Sequence, residues 1–314
     1  MSGWQGDPDS PVVSVCCITY NHGEYIEDAL NGILSQKTDF PFEILINDDA
    51  STDETSEILR KYEEKYPRII KLICQAENKF SQGLSPNLTY NFPRAQGRFI
   101  ALCEGDDFWI SENKLEKQVA ALTENPGCVL CFHDAYKVDE NREVLAEIVP
   151  ANNKYLSPKK LARSPFTPTF TRMFRNVGFP WEGERNLPTA MDVCLAAYLS
   201  KFGGAVYLGA EVLSAYRVHG GGVWSLKSQC QKTRMTVDSK LYMAGHFKVD
   251  IDDAVANDAF EYHMTTAATT ILDQLEFSSA FQATMKYLVL RCYRHIRWVA
   301  VHLISPLRNK LRSR

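Results

Sequence analysis

Residues 99–109 read Phe-Ile-Ala-Leu-Cys-Glu-Gly-Asp-Asp-Phe-Trp, an apolar run followed by three carboxylates. The apolar part is long enough for one buried strand, and Glu104, Asp106 and Asp107 come directly after it. A strand end holds such oxygens in fixed places, and hard oxygen ligands suit a Mg²⁺ or Mn²⁺ ion that shares the phosphates of a substrate. The stretch therefore predicts a site for a metal and a nucleotide diphosphate. The alternative is a polar turn that merely leaves a buried strand.

Two earlier stretches repeat this order of apolar run and polar loop. Residues 42–46 precede Asn47-Asp48-Asp49-Ala50-Ser51-Thr52-Asp53, and residues 12–18 precede Thr19-Tyr20-Asn21-His22-Gly23. Helix capping by Ser51 or Asp53 explains part of this polarity, but it does not explain Asp48 and Asp49. Open α/β sheets bind ligands at the carboxyl ends of their strands. The pattern therefore predicts an α/β fold with a Rossmann-like mixed, mainly parallel sheet flanked by helices.

These three motifs together resemble the family 2 inverting glycosyltransferases, which have the A-type nucleotide-diphospho-sugar transferase fold. The matching segments are Val-Ser-Val-Cys-Cys-Ile-Thr-Tyr-Asn at 13–21, Asn-Asp-Asp-Ala-Ser-Thr-Asp at 47–53 and Ala-Leu-Cys-Glu-Gly-Asp-Asp-Phe-Trp at 101–109. They occur in the order of the family and at its usual separations. The match covers roughly the first 135 residues and continues more weakly to about Ser225.

The resemblance implies a role for each matched position. Asp106 is expected to bind Mn²⁺ or Mg²⁺ directly, whereas Glu104 replaces the usual first aspartate and is expected to contact ribose or a metal-bound water. Asp107 would point elsewhere on an extended chain. The residues expected to bind the donor are Thr19, Tyr20, Asn21, Asp48, Asp49, Glu104 and Arg217.

A general base is also needed, because an inverting transfer must remove the proton of the acceptor hydroxyl. Asp192 is the only charged residue before Lys201 in an otherwise apolar helical pattern, and it matches the acidic residue of the family at the start of this helix. It is therefore the expected base. The alternative is an N-cap or a first-turn partner of the helix dipole, and Glu182 and Glu184 are the next candidates for the base.

The segment Tyr216-Arg217-Val218-His219 looks like the Tyr-Arg-x-His segment of the family and is followed by three glycines. The resemblance implies that His219 closes on the metal or the diphosphate and that Arg217 neutralises phosphate charge. The glycines would give a closing loop its backbone freedom. An ordinary loop histidine is the alternative for His219.

Composition and charge suggest how the chain is divided. With 314 residues and 45% hydrophobic content it can bury a large core. We expect a polar segment at 1–10, a catalytic domain at 11–225 (a nucleotide-sugar half at 11–138 and an acceptor half at 139–225), and a helical C-terminal region at 226–314. Nine cysteines, mostly within apolar runs, and a polar N-terminus without a secretory signal favour a cytoplasmic protein.

The C-terminal tail is strongly basic. Eight basic residues and no acidic residue follow Glu276, so residues 284–314 are suited to lie on an anionic membrane surface, peripheral to the inner face of the cytoplasmic membrane. A solvated helix packed on the catalytic domain is the alternative. No nucleic-acid-reading module accompanies the basic residues, so nucleic acid is not an expected partner.

Function is expected to be the transfer of a sugar, most commonly from a UDP-sugar in similar proteins, to a glycan or lipid-linked oligosaccharide acceptor. Similar proteins act in bacterial surface-polysaccharide or lipopolysaccharide pathways. A catalytically silent nucleotide-sugar-binding or assembly protein of the same fold is the alternative. A sugar-nucleotide pyrophosphorylase is disfavoured, because Thr-Tyr-Asn-His-Gly stands where such an enzyme has a glycine-rich phosphate loop.

Overall fold

The structure is a computed structural model that describes residues 9–148, 155–162, 167–180 and 191–222, with a few isolated positions outside these ranges. The strands are β1 Val13–Thr19, β2 Phe42–Asp48, β3 Ile70–Cys74, β4 Phe99–Leu102, β5 Phe108–Trp109, β6 Cys128–Val138, β7 Val144–Ile148, β8 Tyr155–Leu156, β9 Met173–Arg175 and β10 Gly204–Arg217. The α-helices are α1 Ile26–Leu34, α2 Thr55–Lys65, α3 Phe92–Arg94, α4 Lys114–Glu124, α5 Pro158–Ala162 and α6 Met191–Leu199.

The strands form one sheet in the order β3-β2-β1-β4-β9-β6-β10-β5, with β7 beside β6 and β8 beside β10. The first four of these strands are parallel. Beyond them, β9 lies antiparallel between β4 and β6, and β6 and β10 are again parallel to each other. The predicted mixed α/β sheet flanked by helices is confirmed.

Helices cover both faces of the sheet, which explains why its central strands are apolar on both sides. One face packs against α1, α2 and α4 through residues such as Leu30, Leu59 and Leu115. The other face packs against α3, α5 and α6 through residues such as Phe92, Leu161 and Leu195. Because helices cover both faces of the central strands, the ends of these strands are where the sheet is open to a ligand.

The carboxyl ends of the parallel strands lie together at one edge, as the sequence predicted. Thr19 pairs with Asp48 in the register of β1 and β2, and the register of β1 and β4 aligns Cys16 with Leu102. The loop that contains Glu104 and Asp106 therefore lies beside the loop after Thr19.

Two expectations fall outside the described residues, namely the helical C-terminal region as a whole and the basic tail at 284–314. The proposed domain limits stay predictions. Within the described part of the chain, no helix is long and apolar enough to cross a membrane.

Candidate functional site

The centre of the candidate site is a group of one carboxylate and two imidazoles. Nε2 of His219 lies 3.1 Å from Oδ2 of Asp106, and Nε2 of His22 lies 3.8 Å from the same oxygen. The three ligand atoms lie within 4.8 Å of one another. They come from the loops after β4, β10 and β1, so the fold joins residues that are more than 100 positions apart in sequence.

The charges in this group suit a cation. Burial alone would raise the pKa of Asp106, but the hydrogen bond with His219 and the nearby His22 bring this pKa below its usual range. Burial lowers the pKa of His22, despite the opposing effect of the Asp106 charge. At neutral pH the carboxylate is therefore ionised and His22 is neutral, which are the forms that bind metals.

The donor set fits a divalent metal, because imidazole nitrogen and carboxylate oxygen are common ligands of Mn²⁺ and similar ions. The sequence interpretation included Asp106 and His219 but missed His22. The available signal was its place in Thr-Tyr-Asn-His-Gly, a polar loop at the same sheet edge. The structure brings this loop to Asp106 because β1 and β4 are neighbouring parallel strands.

Glu104 and Asp107 face different surroundings. Oε2 of Glu104 is buried and has no hydrogen-bond partner among the described residues. Burial, with a smaller contribution from the Asp106 charge, raises the pKa of Glu104 to about 8. Asp107 instead accepts a hydrogen bond of 3.0 Å from the backbone N–H of Arg217. It therefore supports β10, in keeping with the expectation that it points away from Asp106.

Asp48 and Asp49 are both buried at the end of β2. Asp48 accepts hydrogen bonds from Ser51 and Ser56. Asp49 accepts them from the backbone N–H groups of Lys79, at 2.7 Å, and Phe80, at 3.0 Å. Asp49 thus fixes the loop after β3 against the sheet edge, and both carboxylates already have protein partners.

The loop after β1 presents residues in different ways. Tyr20 is 43% exposed and can contact a ligand directly. Asn21 has a φ of 53°, and its side-chain oxygen accepts a hydrogen bond of 2.8 Å from the N–H of Thr52. Thr19 is buried, and its hydroxyl lies 3.2 Å from Nδ1 of His22. Tyr20 is therefore accessible to a donor, whereas Asn21 and Thr19 contact neighbouring protein groups.

Arg217 is buried, and its guanidinium is surrounded by protein groups. Its Nη2 donates to Asp28 at 2.7 Å and its Nε donates to the carbonyl of Asp106 at 3.1 Å. The guanidinium also lies over the rings of Tyr25 and Phe108. In the structure the Arg217 guanidinium contacts protein groups and supports the Asp106 loop. The expected contact of Arg217 with phosphate stays a prediction.

A pair of substitutions tests this structural role. Both Arg217 and Arg142 pair with Asp28, but their side chains are 2% and 62% exposed, respectively. We expect Arg217→Met to lower the free energy of unfolding by about 3 kcal/mol. Removing one partner of a buried ion pair is costly, because Oδ2 of Asp28 and the carbonyl of Asp106 lose their hydrogen-bond donor. Arg142→Met should change it by less than about 1 kcal/mol. Urea unfolding of both variants measures the difference, and equal losses would contradict the structural role.

Asp192 lies in the first turn of α6, and its side chain is 44% exposed. The buried Arg172 donates to the backbone carbonyl of Asp192 at 2.9 Å, and its Nη2 lies 3.8 Å from a carboxylate oxygen of Asp192. The carbonyl of Arg172 accepts a hydrogen bond of 3.2 Å from the N–H of Leu102, the last residue of β4. An accessible carboxylate is therefore held near the end of β4, which the loop with Glu104 follows. Glu182 and Glu184 lie outside the described residues.

Comparison with known proteins shows the family to which the chain belongs. The model of glycosyl transferase family 2 matches residues 14–179, more than half of the chain. An uncharacterized protein of Mycobacterium tuberculosis is 33% identical over 216 residues, which cover 68% of this chain and 60% of that protein. The chain therefore spans less than two thirds of the length of this relative.

Two further relatives have functional names. The putative teichuronic acid biosynthesis glycosyltransferase TuaG of Bacillus subtilis is 29% identical over 232 residues, which cover 74% of this chain and 87% of TuaG. The UDP-Glc:alpha-D-GlcNAc-diphosphoundecaprenol beta-1,3-glucosyltransferase WfgD of Escherichia coli is 26% identical over 170 residues, which cover 54% of this chain and 58% of WfgD.

Solved structures share the fold. S. aureus TarS 1–349 in complex with UDP-GlcNAc has a TM-score of 0.52 and 17% identity, with 90% of this chain and 91% of that chain covered. The mannosyltransferase PcManGT from Pyrobaculum calidifontis, in complex with GDP-Man and Mn²⁺, has a TM-score of 0.56 and 20% identity, with 98% and 89% covered. The match of the family model to more than half of the chain shows that this protein belongs to glycosyl transferase family 2.

Proposed function

We propose that this enzyme is an inverting transferase that moves a sugar from a UDP-sugar to a lipid-linked or glycan acceptor, with Asp192 as the general base. The main support is that two groups of the required kinds lie near the same end of β4. Asp106, the centre of the metal-binding cluster, is in the loop after β4. The buried Arg172 accepts a hydrogen bond from the N–H of Leu102, the last residue of β4, and donates one to the backbone carbonyl of Asp192. A donor diphosphate and an acceptor hydroxyl could therefore both be bound at this strand end.

Asp106 and His219 are the residues that would hold the divalent metal. When bound, Mn²⁺ or Mg²⁺ would supply Lewis-acid stabilisation of the negative charge on the departing diphosphate, a contribution of several kcal/mol. Arg217 and Asp107 keep the two ligand loops together through contacts with the backbone of each other's loop. The protein thus arranges the ligands before the donor arrives, which avoids reorganisation during the reaction.

Asp192 would take the proton of the acceptor hydroxyl as that oxygen attacks the anomeric carbon on the face opposite the nucleotide. Its carboxylate is exposed enough to meet an acceptor, and Arg172 anchors the start of α6. Arg172 is itself fixed by contacts from its Nε to the carbonyl and hydroxyl of Thr167. A base held in this way typically contributes about 10²–10⁴-fold in rate.

The choice of donor and acceptor follows the functional names of the relatives. WfgD is named as acting on a diphosphoundecaprenol-linked acceptor with UDP-Glc, and TarS 1–349 has been solved with UDP-GlcNAc. A lipid-diphosphate-linked sugar is therefore the proposed acceptor class, in a bacterial polysaccharide pathway.

The proposal is tested by product analysis with the full chain. UDP-glucose and UDP-GlcNAc, with GDP-mannose for comparison, would each be incubated with Mn²⁺ and a diphosphoundecaprenol-linked sugar. We expect release of UDP together with a product extended by one sugar in the inverted configuration. Nucleotide binding without transfer to any acceptor would instead support the catalytically silent alternative, and retention of configuration would exclude Asp192 as the base of a single displacement.

We further propose that residues 284–314 bring the enzyme to an anionic membrane, where a lipid-linked acceptor would be found. The support is the run of basic residues without any acidic one in this tail. The full chain is expected to float with liposomes that contain anionic lipid, and this binding should fall steeply with added salt. Equal flotation of a variant with neutral residues in place of the eight basic ones would contradict the proposal.

A further inference from the structure

We propose that His22 is a third ligand of the metal site, positioned by Thr19, and that the resulting set of two imidazoles and one carboxylate favours Mn²⁺ or Co²⁺ over Mg²⁺. This inference rests on the proposed function, because it takes Asp106 and His219 as metal ligands. It adds a ligand, His22, that the matched family motifs do not assign.

The backbone of His22 is fixed from both sides. Its N–H donates to the hydroxyl of Thr55 at 2.9 Å. Its carbonyl accepts hydrogen bonds from the N–H groups of Tyr25, at 2.9 Å, and Ile26, at 2.8 Å, where α1 begins. The position of the imidazole is therefore set by the start of a packed helix, which favours a preorganised ligand.

The hydrogen bond at the other ring nitrogen suits metal binding by Nε2. Nδ1 of His22 lies 3.2 Å from the hydroxyl of Thr19. A threonine hydroxyl can accept a hydrogen bond from Nδ1–H, and in that tautomer Nε2 has a lone pair directed toward Asp106. Gly105 allows this contact, because a Cβ at this position would lie 2.5 Å from the Thr19 hydroxyl. Thr19 thus has the role of an outer residue that orients a metal-binding histidine.

His219 is held in a similar way. The backbone N–H of Gly221 lies 3.2 Å from Nδ1 of His219, and Nε2 of His219 lies 3.1 Å from Oδ2 of Asp106. Nε2 of His22 lies 3.8 Å from the same oxygen. Both imidazoles therefore approach one carboxylate oxygen through Nε2, and Nδ1 of each contacts a group of its own segment.

The cluster is also accessible. The side chains of His22 and Asp106 are 15% and 19% exposed, so an ion and a phosphate oxygen can reach them from solvent. Mg²⁺ prefers oxygen ligands and retains its waters, whereas imidazole nitrogen suits transition metals. Two imidazoles in one site therefore shift the preference toward Mn²⁺ and Co²⁺.

The test measures metal binding to the full chain with saturating UDP. Isothermal titration gives the affinity for Mn²⁺, Co²⁺ and Mg²⁺, and pulsed electron paramagnetic resonance of bound Mn²⁺ counts coordinated imidazole nitrogens. We expect two nitrogens in the wild type and one in His22→Ala, with an affinity for Mn²⁺ lowered about 10–100-fold. Thr19→Val should lower it less and keep both nitrogens. His22→Asp should recover binding with a preference for Mg²⁺, a change that a purely structural role of His22 would not produce.

Glu24→Gln is the matched control, because it removes a charge from an exposed residue of the same loop without changing the cluster. Its affinity for Mn²⁺ should equal that of the wild type. The inference is overturned if His22→Ala retains two coordinated nitrogens or binds Mn²⁺ within threefold of the wild type while Asp106→Ala loses the metal. If the wild type binds no Mn²⁺, or if Asp106→Ala binds it normally, the metal site of the proposed function fails as well.

Discussion

Asp106→Asn is expected to lower kcat/KM for sugar transfer by about 10³-fold or more. The substitution removes the only negative charge of the three-residue cluster and leaves two imidazoles that cannot balance a divalent cation by themselves. Loss of metal-assisted stabilisation of the leaving diphosphate is worth several kcal/mol, and each 1.36 kcal/mol changes the rate about tenfold. Steady-state release of the nucleotide with excess Mn²⁺ measures the effect.

Asp107→Asn is the matched control for this substitution. Burial raises the pKa of Asp107 well above its usual range, and an asparagine oxygen can still accept the N–H of Arg217. We therefore expect activity within about tenfold of the wild type. Similar losses in the two variants would show that the loop needs both carboxylates for its structure, and would remove the special role assigned to Asp106.

Asp192→Asn is expected to lower kcat about 10²–10⁴-fold while the affinity for the nucleotide changes little. The amide has nearly the same size but cannot accept the acceptor proton, and the anchoring contact from Arg172 to the Asp192 backbone is unaffected. Pre-steady-state transfer and UDP binding, measured separately, distinguish loss of the base from loss of the donor site. Activity within tenfold of the wild type would remove Asp192 from the mechanism.

The alternative for Asp192 is a partner of the helix dipole, and α4 provides a control for it. Glu116 is an exposed acidic residue in the first turn of α4, as Asp192 is in the first turn of α6. If the dipole were its only role, Asp192→Asn and Glu116→Gln would both cost about 0.3–1 kcal/mol of stability and would leave transfer intact. With Asp192 as the base, we expect similar stability losses in the two variants but a loss of activity in Asp192→Asn alone.

The sheet edge could be predicted from the sequence because its signals are local. Each of β1, β2 and β4 is a short apolar run that ends in polar residues, and parallel strands place such ends together. The family motifs then pointed to Asp106 and to His219, and the structure places these two side chains 3.1 Å apart.

The partners of individual side chains could not be predicted, because they depend on contacts between distant parts of the chain. Arg217 pairs with Asp28 across 189 positions, and no local pattern indicates that its guanidinium is buried. The same holds for Thr19, whose hydroxyl contacts His22 instead of facing an open pocket. The role of His22 could not be predicted, because it lies in a loop between a strand and a helix, where a histidine is usually an ordinary loop residue.

Thermal unfolding tests whether Asp106 supports metal-dependent binding of a nucleotide diphosphate. The melting temperatures of the wild type and Asp106→Ala would be measured with UDP, GDP or dTDP, each with and without Mn²⁺. We expect UDP with Mn²⁺ to raise the melting temperature of the wild type, with no rise in Asp106→Ala. A rise that is independent of Mn²⁺, or equal in the variant, would show that Asp106 does not hold a metal for the nucleotide.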